Sequence, residues 1–178
     1  YEARAIYDQA LALAVDSQGH RQPIAGIALT GLGRLMVEWN ELEAATRHLV
    51  EGIELIKKWG EVGAVNGYVA LARVKQAQGD VAGAHEAIQM AQQLAAKFDA
   101  MKVSDVIVSM YKANLEIRQG NIEAAWRWAE ERGLEADIRS GQLEEKVNSA
   151  ALPLYRAAEY ITLARVYIAQ GRPDEALE

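Results

Sequence analysis

Residues 71–84 read LARVKQAQGDVAGA, and residues 163–176 read LARVYIAQGRPDEA. Leu, Ala, Arg, Val, Ala, Gln, Gly and the final Ala coincide, and the mismatches fall at turn or solvent positions. Each copy is an apolar helical segment that stops at a Gly, a polar turn, and a second helix that opens with Ala on its inner face. This is a helix–turn–helix hairpin, and its recurrence within one chain is the mark of a repeat architecture.

Two weaker copies complete the pattern. The turn residues Asn40, Gly79, Gly120 and Gly171 each precede an Ala by five positions: Ala45, Ala84, Ala125 and Ala176. Twelve positions before each of those alanines stands another small residue: Gly33, Ala72, Ala113 and Ala164. Facing small residues let two helices of a hairpin approach closely, and larger side chains would overpack the crossing. Gly or Asn at the turn supplies the left-handed conformation that ends a helix at low steric cost.

Composition agrees with helix packed on helix. Hydrophobic residues make up 51% of the 178, enough for a core, but Phe occurs once and Ala dominates. There is no Cys, which excludes disulfides and thiolate metal sites and fits a reducing, cytoplasmic setting. The net charge of −6 argues against direct nucleic-acid contact, which needs a basic footprint. The longest uncharged runs, such as 22–33, are too short to span a membrane. Tyr1 is not a natural start, so the chain reads as a fragment.

Taken in order, the spacing predicts a half-hairpin over 1–19, with apolar residues at helical intervals and Gly19 as its end. Hairpins follow at 23–60, 61–98 and 103–133, the first opened by Pro23. Residues 134–150 are polar and weakly periodic, which predicts a loop with at most a short helix; this explains why the turns are separated by 39, 41 and then 51 positions. Pro153 opens a partial hairpin over 152–178, and Pro173 opens its second helix. The whole reads as one helical-repeat domain.

The hairpins resemble the tetratricopeptide repeat, TPR, in their small residues: Gly33, Ala72, Ala113 and Ala164 late in the first helix, Ala45, Ala84, Ala125 and Ala176 early in the second. Gly52 and Ala91 take a third small position, which Arg132 breaks. The strings EWNELEAATRHLVEGIELIKKWG (38–60), AAWRWAEERGL (124–134) and EYITLARVYIAQGRPDEAL (159–177) look like the sensor region of MalT-like, ATP-dependent LuxR-family transcription regulators. The resemblance implies an all-α, right-handed helical-hairpin solenoid. It also implies a sensor or oligomerisation segment that binds a small-molecule inducer or a regulatory protein and governs self-association. No GxxxxGK[ST] loop and no DNA-reading helix is present, so neither ATPase nor DNA-binding activity is assigned to this stretch. The alternative is a free-standing scaffold that binds a peptide or protein partner.

No residues point to an enzyme, a cofactor or a metal site. His20, His48 and His85 are scattered over different elements and read as surface residues. The pairs Glu130/Glu131 and Glu144/Glu145 are sequential and diverge on a helix. Trp39, Trp59, Trp126 and Trp128 read as packing between helices.

One constellation invites a binding reading. After each small residue of the first helices comes Arg34, Arg73, Asn114 or Arg165. The preceding turns add Thr30, Val69, Met110 and Ile161, then Ile27, Asn66, Ile107 and Ala158. In stacked hairpins the first helices line the concave face. The candidate ligand-binding set is therefore Arg34, Asn66, Arg73, Asn114 and Arg165, with Tyr68 and Tyr111 one position from the ladder. Guanidinium is the fork suited to carboxylate or phosphate. The competing reading is that each Arg pairs with an acidic neighbour and holds the repeats together.

Overall fold

A computed structural model describes residues 2–97, 102–141, 143–149 and 153–176. The α-helices in chain order are α1 (Glu2–Leu13), α2 (Ala25–Glu38), α3 (Leu42–Lys57), α4 (Val65–Ala77) and α5 (Val81–Lys97). They continue with α6 (Lys102–Arg118), α7 (Ile122–Glu131), α8 (Leu134–Arg139), α9 (Leu143–Ser149) and α10 (Pro153–Ala169). Single 3-10 turns cover Glu61–Ala64 and Asp174–Ala176. Among the described residues the only β pairing is an isolated bridge between Val15 and Arg21, and no helix is long and apolar enough to cross a membrane.

The turns behave as their residue types dictate. Asn40, Gly79, Gly120 and Gly171 all have left-handed φ, from 61° at Asn40 to 80° at Gly120. In each, the following amide reaches back five residues: Glu41 to the Met36 carbonyl, Asp80 to Lys75, Asn121 to Glu116, and Arg172 to Tyr167, all at 2.9 Å. The turn amide itself bonds three residues back, which completes the Schellman closure of a helix C-terminus.

The helices group into two compact units, Tyr1–Met101 and Lys102–Glu178. In the first, α2 pairs with α3 and α4 with α5, while α1 lies on α2. Its core joins Leu32, Met36, Ala45, Leu49, Ala70 and Val74, with Tyr7 and Leu11 of α1 packed against it. Close approach is visible at the glycines. A Cβ on Gly33 would lie 2.7 Å from Leu49 Cγ, and one on Gly26 would lie 2.6 Å from the Gly52 carbonyl oxygen. In the second unit α6 pairs with α7, and α10 packs against both. Ala113, Trp128, Ala129, Leu134, Leu163 and Tyr167 form its core.

Three expectations differ from what is observed. The segment 134–150 carries two short helices, α8 and α9, where a loop with at most one short helix was expected. Leu134 is fully buried and Ile138 packs against the same core, so two apolar residues one turn apart seat α8. Between them Asp137 makes polar contacts with α10, which is why the stretch reads as polar. The first helix stops at Leu13 instead of running to Gly19. Asp16 accepts bonds from the Gln18 and His20 amides at 2.8 and 2.9 Å, a local alternative that competes with the helix. After Pro173 only a 3-10 turn is described; residues 177 and 178 lie outside the described set.

Candidate functional site

The face of α2 that carries Ile27, Thr30, Gly31 and Arg34 has the i, i+3, i+4, i+7 spacing of a single helical stripe. This stripe forms one wall of an open pocket of about 590 Å³ in the first unit. Tyr7 of α1 forms part of another wall. The end of α3 and the turn after it contribute Ile56, Trp59, Gly60 and Gly63, and Asn66 comes from the first turn of α4. Small residues make the space. A Cβ on Gly31 would sit 2.4 Å from the Tyr7 ring, so the ring lies directly against the α2 backbone. At Gly60 an added Cβ would meet nothing within 4 Å.

Of the candidate set, the pocket brings together Arg34 and Asn66. Arg73 and Tyr68 belong to the same unit but do not line it. Arg73 donates to Glu38 Oε1 at 3.0 Å, bridging α4 to α2. Val69, a ladder position, is buried in the core. Asn114, Tyr111 and Arg165 lie in the second unit. There Asn114 is committed three ways: its amide donates to the Met110 carbonyl at 2.9 Å and to Thr162 Oγ1 at 3.1 Å, and its oxygen accepts from Arg165 at 2.7 Å. Arg73 thus has the acidic partner that the architectural reading expects, and Arg165 is held by a neutral amide instead, whereas Arg34 has neither an ion pair nor a side-chain hydrogen bond among the described residues.

Trp59 and Tyr7 were not in the candidate set. Trp59 is 66% exposed and borders the pocket, unlike Trp128, which is in the core, and Trp126, whose ring lies 5.9 Å from that of Tyr167. Its place in the KKWG string, just past a helix C-terminus, was the available signal that it escapes helix-on-helix packing.

The second unit holds a polar cluster that residue spacing did not reveal. Glu159 of α10 is 2% exposed. Arg132, at the end of α7, donates its Nε to Glu159 Oε1 at 2.6 Å, and Arg156 donates to Oε2 at 3.0 Å. Arg156 also pairs with Asp137 of α8, and the Tyr160 hydroxyl donates to the same carboxylate at 2.7 Å. The Arg156 guanidinium lies 5.2 Å from the Tyr160 ring centroid. Arg132, which breaks the run of small residues, is therefore the partner of a buried carboxylate.

The family model for the MalT-like TPR region matches residues 1–178. The chain belongs to this family. No curated protein and no solved structure matches it. The match assigns the MalT-like TPR region to no catalytic family, and among its described residues no group of three or more His, Asp or Glu is placed to hold a metal ion. His48 is not a plain surface residue: it is half-buried, its Nδ1 lacks a partner among the described residues, and burial holds its pKa below the ordinary value.

The polar cluster of the MalT-like TPR region has a titration consequence. Burial, and then the bond to Asp137, push the Tyr160 phenol up to about 12, against some opposition from Arg156. A raised folded-state pKa means that this contribution to stability is complete below the unfolded value of 10.0 and is lost as pH rises through about 12. A near-ultraviolet titration should show Tyr160 ionising late among the seven tyrosines, with Tyr167 also delayed by burial. Tyr160→Phe should remove the last phase. Unchanged late ionisation in that variant would contradict the assignment.

Proposed function

We propose that this MalT-like TPR region is the ligand-sensing segment of a LuxR-family transcription regulator, in the cytoplasm, and that occupancy controls its self-association. It binds and does not catalyse, and it has no direct contact with DNA. The observation that carries the reading is the open pocket in the first unit, where Arg34 and Asn66 border a space of about 590 Å³, inside the range of small-molecule sites. A small-molecule inducer fits this better than a long peptide. The guanidiniums that a peptide-gripping scaffold would use along the ladder, Arg73 and Arg165, are already engaged by Glu38 and Asn114.

The test is a thermal-shift screen of the chain against metabolites that include carboxylates, phosphates, polyols and short peptides, with sedimentation velocity on every hit. At least one class should raise the melting temperature and change the association state. A screen in which no class stabilises the protein, together with an unchanged sedimentation profile, would overturn the sensor reading.

A further inference from the structure

We propose that the pocket of the first unit takes a small monocarboxylate carrying a flat ring, with Arg34 as the anchor of the carboxylate; this rests on the sensor reading above. Four observations converge. The first is charge. Among the described residues Arg34 lines the pocket without a partner, and no Asp or Glu lines it, in a chain whose net charge is −6. A guanidinium with no ion-pair partner among the described residues is open to an anion. One guanidinium matches one negative charge, and its planar fork can bond both oxygens of a carboxylate at once.

The second is the apolar lining. Ile27, Ile56, Tyr7 and Trp59 offer hydrocarbon and ring surface, and Trp59 is 66% exposed while Ile27 is 57% exposed. A flat ring that covers them removes apolar surface from water on both partners. The third is shape. The Tyr7 ring lies against the α2 backbone at Gly31, and Gly60 and Gly63 add no side-chain bulk beside Trp59, so the open pocket has two aromatic residues in its lining. The fourth is polar placement. The Thr30 hydroxyl donates to the Gly26 carbonyl at 2.8 Å, and Asn66, with the Tyr7 hydroxyl and the Trp59 indole N–H, supplies neutral polar groups among the lining residues to orient a substituent.

The probes are phenylacetate and its uncharged counterpart phenylacetamide. The readout is the fluorine NMR signal of Trp59 in 5-fluorotryptophan-labelled protein, assigned with Trp59→Phe. Phenylacetate should shift the Trp59 signal saturably, and phenylacetamide should bind at least tenfold more weakly. Arg34→Gln should erase that preference, while Arg73→Gln, outside the pocket, should keep it. Equal affinity for acid and amide in the parent protein, or an acid preference that survives Arg34→Gln, would overturn the proposal. If neither probe moves Trp59 while another class from the thermal-shift screen binds, the carboxylate assignment falls and the sensor reading stands. If no compound binds at all, both fall.

Discussion

Glu159→Ala should destabilise the second unit by about 3–5 kcal/mol, the cost of stripping one partner from a buried ion pair. The Glu159 side chain is 3% exposed, and those of Arg132 and Arg156 are 24% and 19% exposed. With the carboxylate gone, both guanidiniums remain in a poorly hydrated site. Arg156 keeps Asp137, while Arg132 is left with Asp105 at 3.8 Å, a residue whose side chain is 76% exposed and therefore screened. Urea denaturation followed by the fluorescence of Trp126 and Trp128, which lie in this unit, gives the measurement. The double variant Arg132→Met with Glu159→Leu should recover most of the loss, because replacing both charges by apolar groups removes the desolvation cost as well as the attraction. A single variant that loses less than about 1 kcal/mol, the scale of an exposed pair, would mean the cluster is solvated.

Gly26→Ala should destabilise the first unit by about 2 kcal/mol, the overpacking cost less the roughly 1 kcal/mol by which Ala favours a helix over Gly. The added Cβ would lie 2.6 Å from the Gly52 carbonyl oxygen and 3.0 Å from the Ile56 amide nitrogen. Both are α3 backbone atoms, so relief requires α2 and α3 to part along the crossing that seats Leu29, Leu49 and Ile53. Gly60→Ala supplies the opposite sign. Its Cβ would meet nothing within 4 Å and its φ is not left-handed, so the loss of unfolded-state freedom should stabilise by about 0.5 kcal/mol. Circular dichroism in a denaturant series distinguishes the two. A neutral Gly26→Ala would mean that the helices do not approach as closely as described.

The crossing at Gly33 and Ala45 was readable because close packing leaves a residue-type record: nothing larger fits 2.7 Å from Leu49 Cγ. The Arg132–Glu159 pair was not, because periodicity marks which face of a helix turns inward and is silent on what stands opposite. Arg132 registered only as a broken rule. The segment 134–150 failed for a related reason: Leu134 and Ile138 seat a helix of six residues, too short for a periodic pattern to emerge from its polar neighbours.

The sequence by itself determined the hairpins, their turns and the small residues at their crossings. Each rests on a local demand that only certain residue types meet, such as the left-handed φ of Asn40, Gly79, Gly120 and Gly171. It also nominated Arg34, Arg73 and Arg165 as equivalents, since they occupy the same repeat position. Only the tertiary structure separated them. Arg73 meets Glu38 and Arg165 meets Asn114, each on a different helix, whereas Arg34 shares a pocket with Tyr7 and Trp59 and has no partner among the described residues. Whether a guanidinium is structural or open to a ligand depends on what the neighbouring helix places within hydrogen-bond reach, and that is a property of packing.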